Sequence, residues 1–60
     1  MSKFKDLNDS ERRTLLCKCY ESDGADPETA TSCALTCDNP EVILMDVFGY
    51  ENNDSIEEGI

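Results

Sequence analysis

The sequence predicts an all-α fold, a small three-helix domain with an acidic, partly disordered C-terminal tail. Three observations carry that expectation. Helix-start signals recur at Asn8, Asp26 and Asn39. Glycine-containing turn or stop signals follow the first and third of the runs they open, at Gly24 and Gly49. Apolar residues between these marks fall at helical rather than alternating spacing in the first run.

The first helix is expected over residues 9–21. Asn8-Asp9-Ser10-Glu11 is a capping-box pattern, with Asn8 as N-cap and Glu11 three residues on. Leu15, Leu16, Cys19 and Tyr20 then share one broad face. Phe4 and Leu7, three apart, would extend this helix toward the N-terminus. The second helix is expected over 27–37, opened by Asp26-Pro27-Glu28: a cap, proline at the first position and an acid at the second. Its Thr29, Thr31, Ser32 and Thr36 are weak helix formers, so it needs tertiary support. Ala30, Cys33, Ala34 and Cys37 give it a narrow face of small side chains that permits close approach.

The third helix is expected over 40–48, opened by Asn39-Pro40-Glu41 and ended by Gly49 in the left-handed position. Val42-Ile43-Leu44-Met45 and Val47-Phe48 also fit a buried strand, and the Asn-Pro-Glu start decides for helix. This run is apolar on nearly all sides, so part of it should stay exposed, as interfaces do. Residues 51–60 form the acidic tail. There Ile56 and Ile60, four apart, could make a short amphipathic helix on binding.

Length and composition leave little margin for a core. Leu, Ile, Val and Phe number 12 of 60 residues, at a net charge of −9, close to the roughly 20% below which chains stay disordered. A chain this short buries only about 60% of its unfolded surface, and such domains usually add a metal, a disulfide or a partner. There is no His and no Trp. That excludes Ser-His-Asp and Cys-His catalysis and the helical H-E-x-x-H zinc site. A non-catalytic protein is expected.

Nothing apolar reaches the about 18–20 residues of a membrane span, and no apolar run follows Lys3 and Lys5 to make a signal peptide. The expected compartment is the cytoplasm, where thiols are reduced or hold metal. The four cysteines fall in two pairs, Cys17-Lys18-Cys19 and Cys33…Cys37. Cys33 and Cys37, four apart on a helix, can face one ion. Cys17 and Cys19 point about 200° apart on a helix, so a four-cysteine zinc site requires the first helix to end near Leu16. The alternative is that Cys19, Cys33 and Cys37 are buried small apolar residues, with Cys17 partly exposed. Disulfides are the third reading.

Charge is the most informative feature. All five basic residues lie in the first 18 positions, whereas residues 19–60 hold eleven acids and no Lys or Arg. Such a surface repels nucleic-acid phosphates and anionic lipids and attracts basic grooves. Solubility alone would also account for it. The expected function is a small acidic protein-binding regulator or inhibitor that engages a basic surface on a partner protein, as a nucleic-acid mimic of the viral or plasmid antagonist type would. No nucleic-acid or membrane partner and no cofactor are expected, although Arg12, Arg13 and Lys18 offer a minor nucleic-acid reading. The partner-binding residues expected are Asp38, Glu41, Asp46, Phe48, Tyr50 and Glu51, with the two aromatics as anchors. A homodimer sharing the third helix is expected as well. The alternative function is a zinc-stabilised adaptor built on Cys17, Cys19, Cys33 and Cys37, with zinc as its cofactor.

Overall fold

Three helices arise where the capping residues stand. The computed structural model describes residues 2–56. In it α1 spans Asp9–Ser22, α2 spans Pro27–Thr36 and α3 spans Pro40–Asp46. At the start of α1 the capping box is complete. Glu11 N–H donates to Asn8 Oδ1 at 2.8 Å, and Asn8 N–H donates to Glu11 Oε1 at 3.0 Å. Asp26 accepts from Thr29 N–H at 3.2 Å, and Asn39 accepts from Val42 N–H at 3.4 Å. Both latter helices carry proline in the first turn, where its missing N–H costs nothing.

The helix ends differ from one another. After α1, Gly24 takes φ 109°, Ala25 N–H donates to Tyr20 O and Gly24 N–H to Glu21 O. This is the two-bond Schellman closure. After α3, Gly49 takes φ 79° and Tyr50 N–H donates back to Leu44 O. No glycine closes α2, whose C-cap is Cys37 in extended backbone. α3 stops at Asp46, short of the expected Phe48, because Val47 and Phe48 already belong to the turn that Gly49 completes.

The N-terminal residues do not extend α1. Phe4–Asp6 form a separate 3-10 turn, and Asn8 at φ −81°, ψ 176° breaks the path between turn and helix. β1 (Ser2–Lys3) pairs antiparallel with β2 (Ser55–Ile56), in the register Ser2 to Ile56 and Lys3 to Ser55. Phe4 N–H donates to Asp54 O and Lys5 N–H to Asn52 O. Residues 51–56, expected in a loose tail, are thus fastened to the other end of the chain, with Ile56 buried. Sequence periodicity could not show this, because the strands are two residues long. Residues 57–60, including Glu57, Glu58 and the Ile56–Ile60 helix expected on binding, lie outside the described residues in whole or in part.

α1 is the central element, packed on both α2 and α3. The core consists of Phe4, Leu7, Leu15, Leu16, Ala34, Leu44 and Ile56. Each large aliphatic or aromatic side chain among them contributes about 1.5–3 kcal/mol by leaving water. Phe4 and Leu7 therefore serve as core residues, although no helix presents them. Ala30 and Ala34 are the buried small residues of α2. The radius of gyration of 10.6 Å is that of a compact 60-residue chain, about 10.4 Å.

Candidate functional site

The chain's two arginines point into the fold. Arg13 Nη1 donates to three carbonyls at the end of α2: Ala34 O at 2.8 Å, Leu35 O at 3.1 Å and Cys37 O at 2.8 Å. Asp9, one turn back on α1, holds the same guanidinium through Nε at 2.8 Å. Arg13 thus supplies the C-terminal closure that α2 lacks in its own sequence. The last carbonyls of a helix need donors and carry the negative end of its dipole. Arg12 reaches the other way. Its guanidinium lies 5.5 Å from the Phe4 ring centroid, pairs with Glu41 at 3.7 Å and donates to Lys5 O at 3.5 Å. Arg12 Nε is buried and has no hydrogen-bond partner among the described residues, a small standing cost. Two of the three cations named for a nucleic-acid reading are therefore occupied inside the fold.

The acids of α3 and its flanks sit differently. Asp38, Asp46 and Glu51 are exposed. Asp38 and Asp46 enter no side-chain hydrogen bond or ion pair among the described residues. Glu41 is half-exposed and engaged by Arg12. Asp54 is only half-exposed, and its Oδ2 accepts from Glu51 N–H at 2.9 Å. At the start of α2, Asp26 has its pKa lowered, first by the Thr29 hydroxyl and then by the Thr29 N–H.

The expected aromatic anchors face inward. Phe48 is half-buried and meets Tyr20 edge-on, with centroids 5.8 Å apart. Tyr50 stacks on Phe4 at 5.6 Å and 10°, and the Cys19 thiol donates to its Oη across 3.9 Å. Burial raises the pKa of Tyr50, and the neighbouring Cys19 and Asp54 raise it further. Burial likewise raises that of Cys19, against a lowering by its bond to Tyr50. The apolar residues that α3 and its end leave outside are Val42 at 44% exposure and Val47 at 65%. Leu44 is fully buried, and Ile43, Met45 and Phe48 pack on the core. The apolar surplus expected all round α3 is accordingly absorbed except on one side. Ile43, Met45, Phe48 and Tyr50 pack against the buried cluster, with Phe48 against Tyr20 of α1 and Tyr50 against Phe4, contacts far apart in sequence.

The four cysteines are free. Among the described residues no group of three or more His, Cys, Asp or Glu is placed to hold a metal ion. Cys17 lies on the α2 side of α1, with Sγ 3.4 Å from Thr31 Oγ1, while Cys19 turns to Tyr50. α1 runs unbroken through both, so the divergence expected of positions two apart on a helix holds. Cys33, expected to be buried, is exposed, and Cys19 and Cys37 are half-buried. The narrow small-residue face of α2 therefore buries its alanines and leaves Cys33 outside.

One depression was not foreseen from the sequence. A groove of about 470 Å³ runs between α1 and α2, floored by Ala34 and Leu35 and walled by Asp9, Arg13, Lys18 and Glu21. Its lining carries two acids and two bases, so its charges balance. The role of Arg13 was also missed. Its signal was indirect, a helix with no glycine or cation of its own at the C-terminus in a chain whose cations all precede it.

Compared with protein-family models, with curated proteins and with solved structures, the chain gives no match in any of the three. Among the described residues no helix is long and apolar enough to cross a membrane.

Proposed function

We propose that this is a non-catalytic acidic binding protein that engages a basic surface on a partner protein as a regulator or inhibitor. The observation that carries the reading is the inward placement of the arginines. With Arg12 and Arg13 spent on Phe4, Glu41 and the end of α2, the carboxylates of Asp38, Asp46 and Glu51 stay outside. Residues 19–60 add eleven negative charges and no positive one. Such a field speeds encounter with a basic groove and selects against acidic partners. A nucleic-acid-binding groove on another protein is a surface of this kind, and a mimic of the phosphate backbone would compete for it. The sequence has no histidine to act as general base, which fits a role in binding.

Capture from lysate of the source cells tests the reading. The wild-type chain runs beside a variant carrying Asp38→Asn, Asp46→Asn and Glu51→Gln, and bound proteins are identified by mass spectrometry. The expected result is a set of basic proteins retained by the wild type, released by salt and lost on the variant. An unchanged set on both would count against it.

A further inference from the structure

We infer that Cys33 and Cys37 are a disulfide-forming pair, a site of thiol oxidation at the end of α2 that reacts with low-molecular-weight disulfides and, on closing, draws that end away from Arg13.

The four thiols are free but differently placed. Cys17 and Cys19 diverge on α1, one toward Thr31 and the other toward Tyr50. Cys33 and Cys37 share one side of α2. The helix runs through Thr36, and Cys37 keeps a helical φ of −70° before the chain departs at ψ 127°. The Cβ of Cys37 therefore stands one turn above that of Cys33, about 5–6 Å away. Burial raises the pKa of Tyr20, and Cys37 and then Cys33 raise it further, so both thiols lie within electrostatic reach of one hydroxyl. Cys33 is exposed and Cys37 is half-buried. A thiol that a reagent can reach thus stands beside a sheltered one.

A disulfide holds its Cβ atoms roughly 3.5–4.5 Å apart, so closure brings the two cysteines together by about 1–2 Å. Cys37 is the half with room to move, because extended backbone follows it. What holds it is Arg13. Arg13 Nη1 donates to Cys37 O at 2.8 Å and serves Ala34 O and Leu35 O as well. Moving Cys37 takes one of these three carbonyls off the nitrogen. The state of the two thiols is thereby coupled to the closure of α2.

The chemistry is two successive exchanges. The Cys33 thiolate attacks one sulfur of the external disulfide. That S–S bond breaks, and the departing thiolate keeps its electron pair and takes up a proton. The Cys37 thiolate then attacks the Cys33 sulfur of the mixed disulfide, and the second external thiolate departs in the same way. The cysteine pair loses two electrons, and one external disulfide is reduced to two thiols. The two protons come from the two protein thiols.

The test treats the full chain, reduced and then freed of reductant, with an equimolar amount of oxidised glutathione. Remaining thiols are alkylated and the products mapped by mass spectrometry. The expected product is a monomer lighter by two hydrogens, linked Cys33 to Cys37 and alkylated at Cys17 and Cys19. Cys37→Ser should stop with one glutathione on Cys33. In nitrogen-15 spectra the linked chain should show shifts centred on the last turn of α2 and on the Arg13 Nε–H, reversed by dithiothreitol. Wild type that keeps glutathione on Cys33 beside a free Cys37 thiol would overturn the pair. A link through Cys17 or Cys19, or a cross-linked dimer, would do the same. A Cys33–Cys37 link that leaves the Arg13 Nε–H signal in place would overturn the coupling to α2.

Discussion

The inner side of α1 and the outer side of α3 use charge in opposite ways. On α1, Arg12 and Arg13 are drawn inward to a ring, a carboxylate and the bare carbonyls of a neighbouring helix. Around α3, Asp38, Asp46 and Glu51 are left in water. A chain with so few cations spends its arginines on holding the fold and leaves its acids for encounter. Position along the chain separates the two uses, since every Lys and Arg precedes residue 19.

The largest effect that should break this contrast lies under Arg12. Phe4→Ala removes a fully buried ring that stacks on Tyr50, at a cost of about 3–5 kcal/mol. That is as much as a core of this size supplies, roughly 3–5 kcal/mol, so the variant should show little helical circular dichroism at 25 °C. Arg13→Ala comes next. It leaves the carbonyls of Ala34, Leu35 and Cys37 without their donor, and an expected loss of about 2–3 kcal/mol would appear as a lower urea midpoint. Asn8→Ala should cost about 1 kcal/mol through the cap of α1, read in the same unfolding curve. Val47→Asp closes the series on the outer side. Its stability should stay within about 0.5 kcal/mol of wild type, since the Val47 side chain is largely exposed.

The pH profile sharpens the same contrast. The Asp26 pKa is lowered in the fold, so its contribution is present above the ordinary aspartate value and is lost as pH falls through the lowered one. Tyr50 runs the other way. Its raised pKa gives a contribution fully present below the ordinary tyrosine value and lost as pH rises through the raised one. Helical signal followed from acid to alkali should decline at both ends, and Tyr50→Phe should remove part of the alkaline decline.

The legible parts of the fold were the local ones. Asn8, Asp26 and Asn39 mark helix starts because a cap bonds to residues two or three positions ahead, inside any short window of sequence. Gly24 and Gly49 mark the ends of α1 and α3 for the same reason. The end of α2 at Thr36 falls within one residue of the expected 37, but how it is closed was illegible, since its donor is Arg13, 21 residues before the first carbonyl it serves. The pairing of Ser2–Lys3 with Ser55–Ile56 joins opposite ends of the chain and left no periodic trace. Of the six expected contact residues, Asp38, Asp46 and Glu51 are outside as their charge suggested. Phe48 and Tyr50 are packed inward, because Tyr20 and Phe4 offered them rings to meet. Val42 and Val47 are the exposed large apolar residues of this stretch, a division that depends on how α3 packs on α1.

The most direct test of the division between inner and outer charge is urea unfolding, followed by circular dichroism, of two variants beside the wild type. One carries Arg13→Ala; the other carries Asp38→Asn, Asp46→Asn and Glu51→Gln. The midpoint should fall clearly for Arg13→Ala and stay level or rise for the triple variant, since neutralising unpaired acids relieves repulsion in a chain of net charge −9. A triple variant as unstable as Arg13→Ala would contradict the account, because its acids would then be holding the fold together and not waiting for a partner.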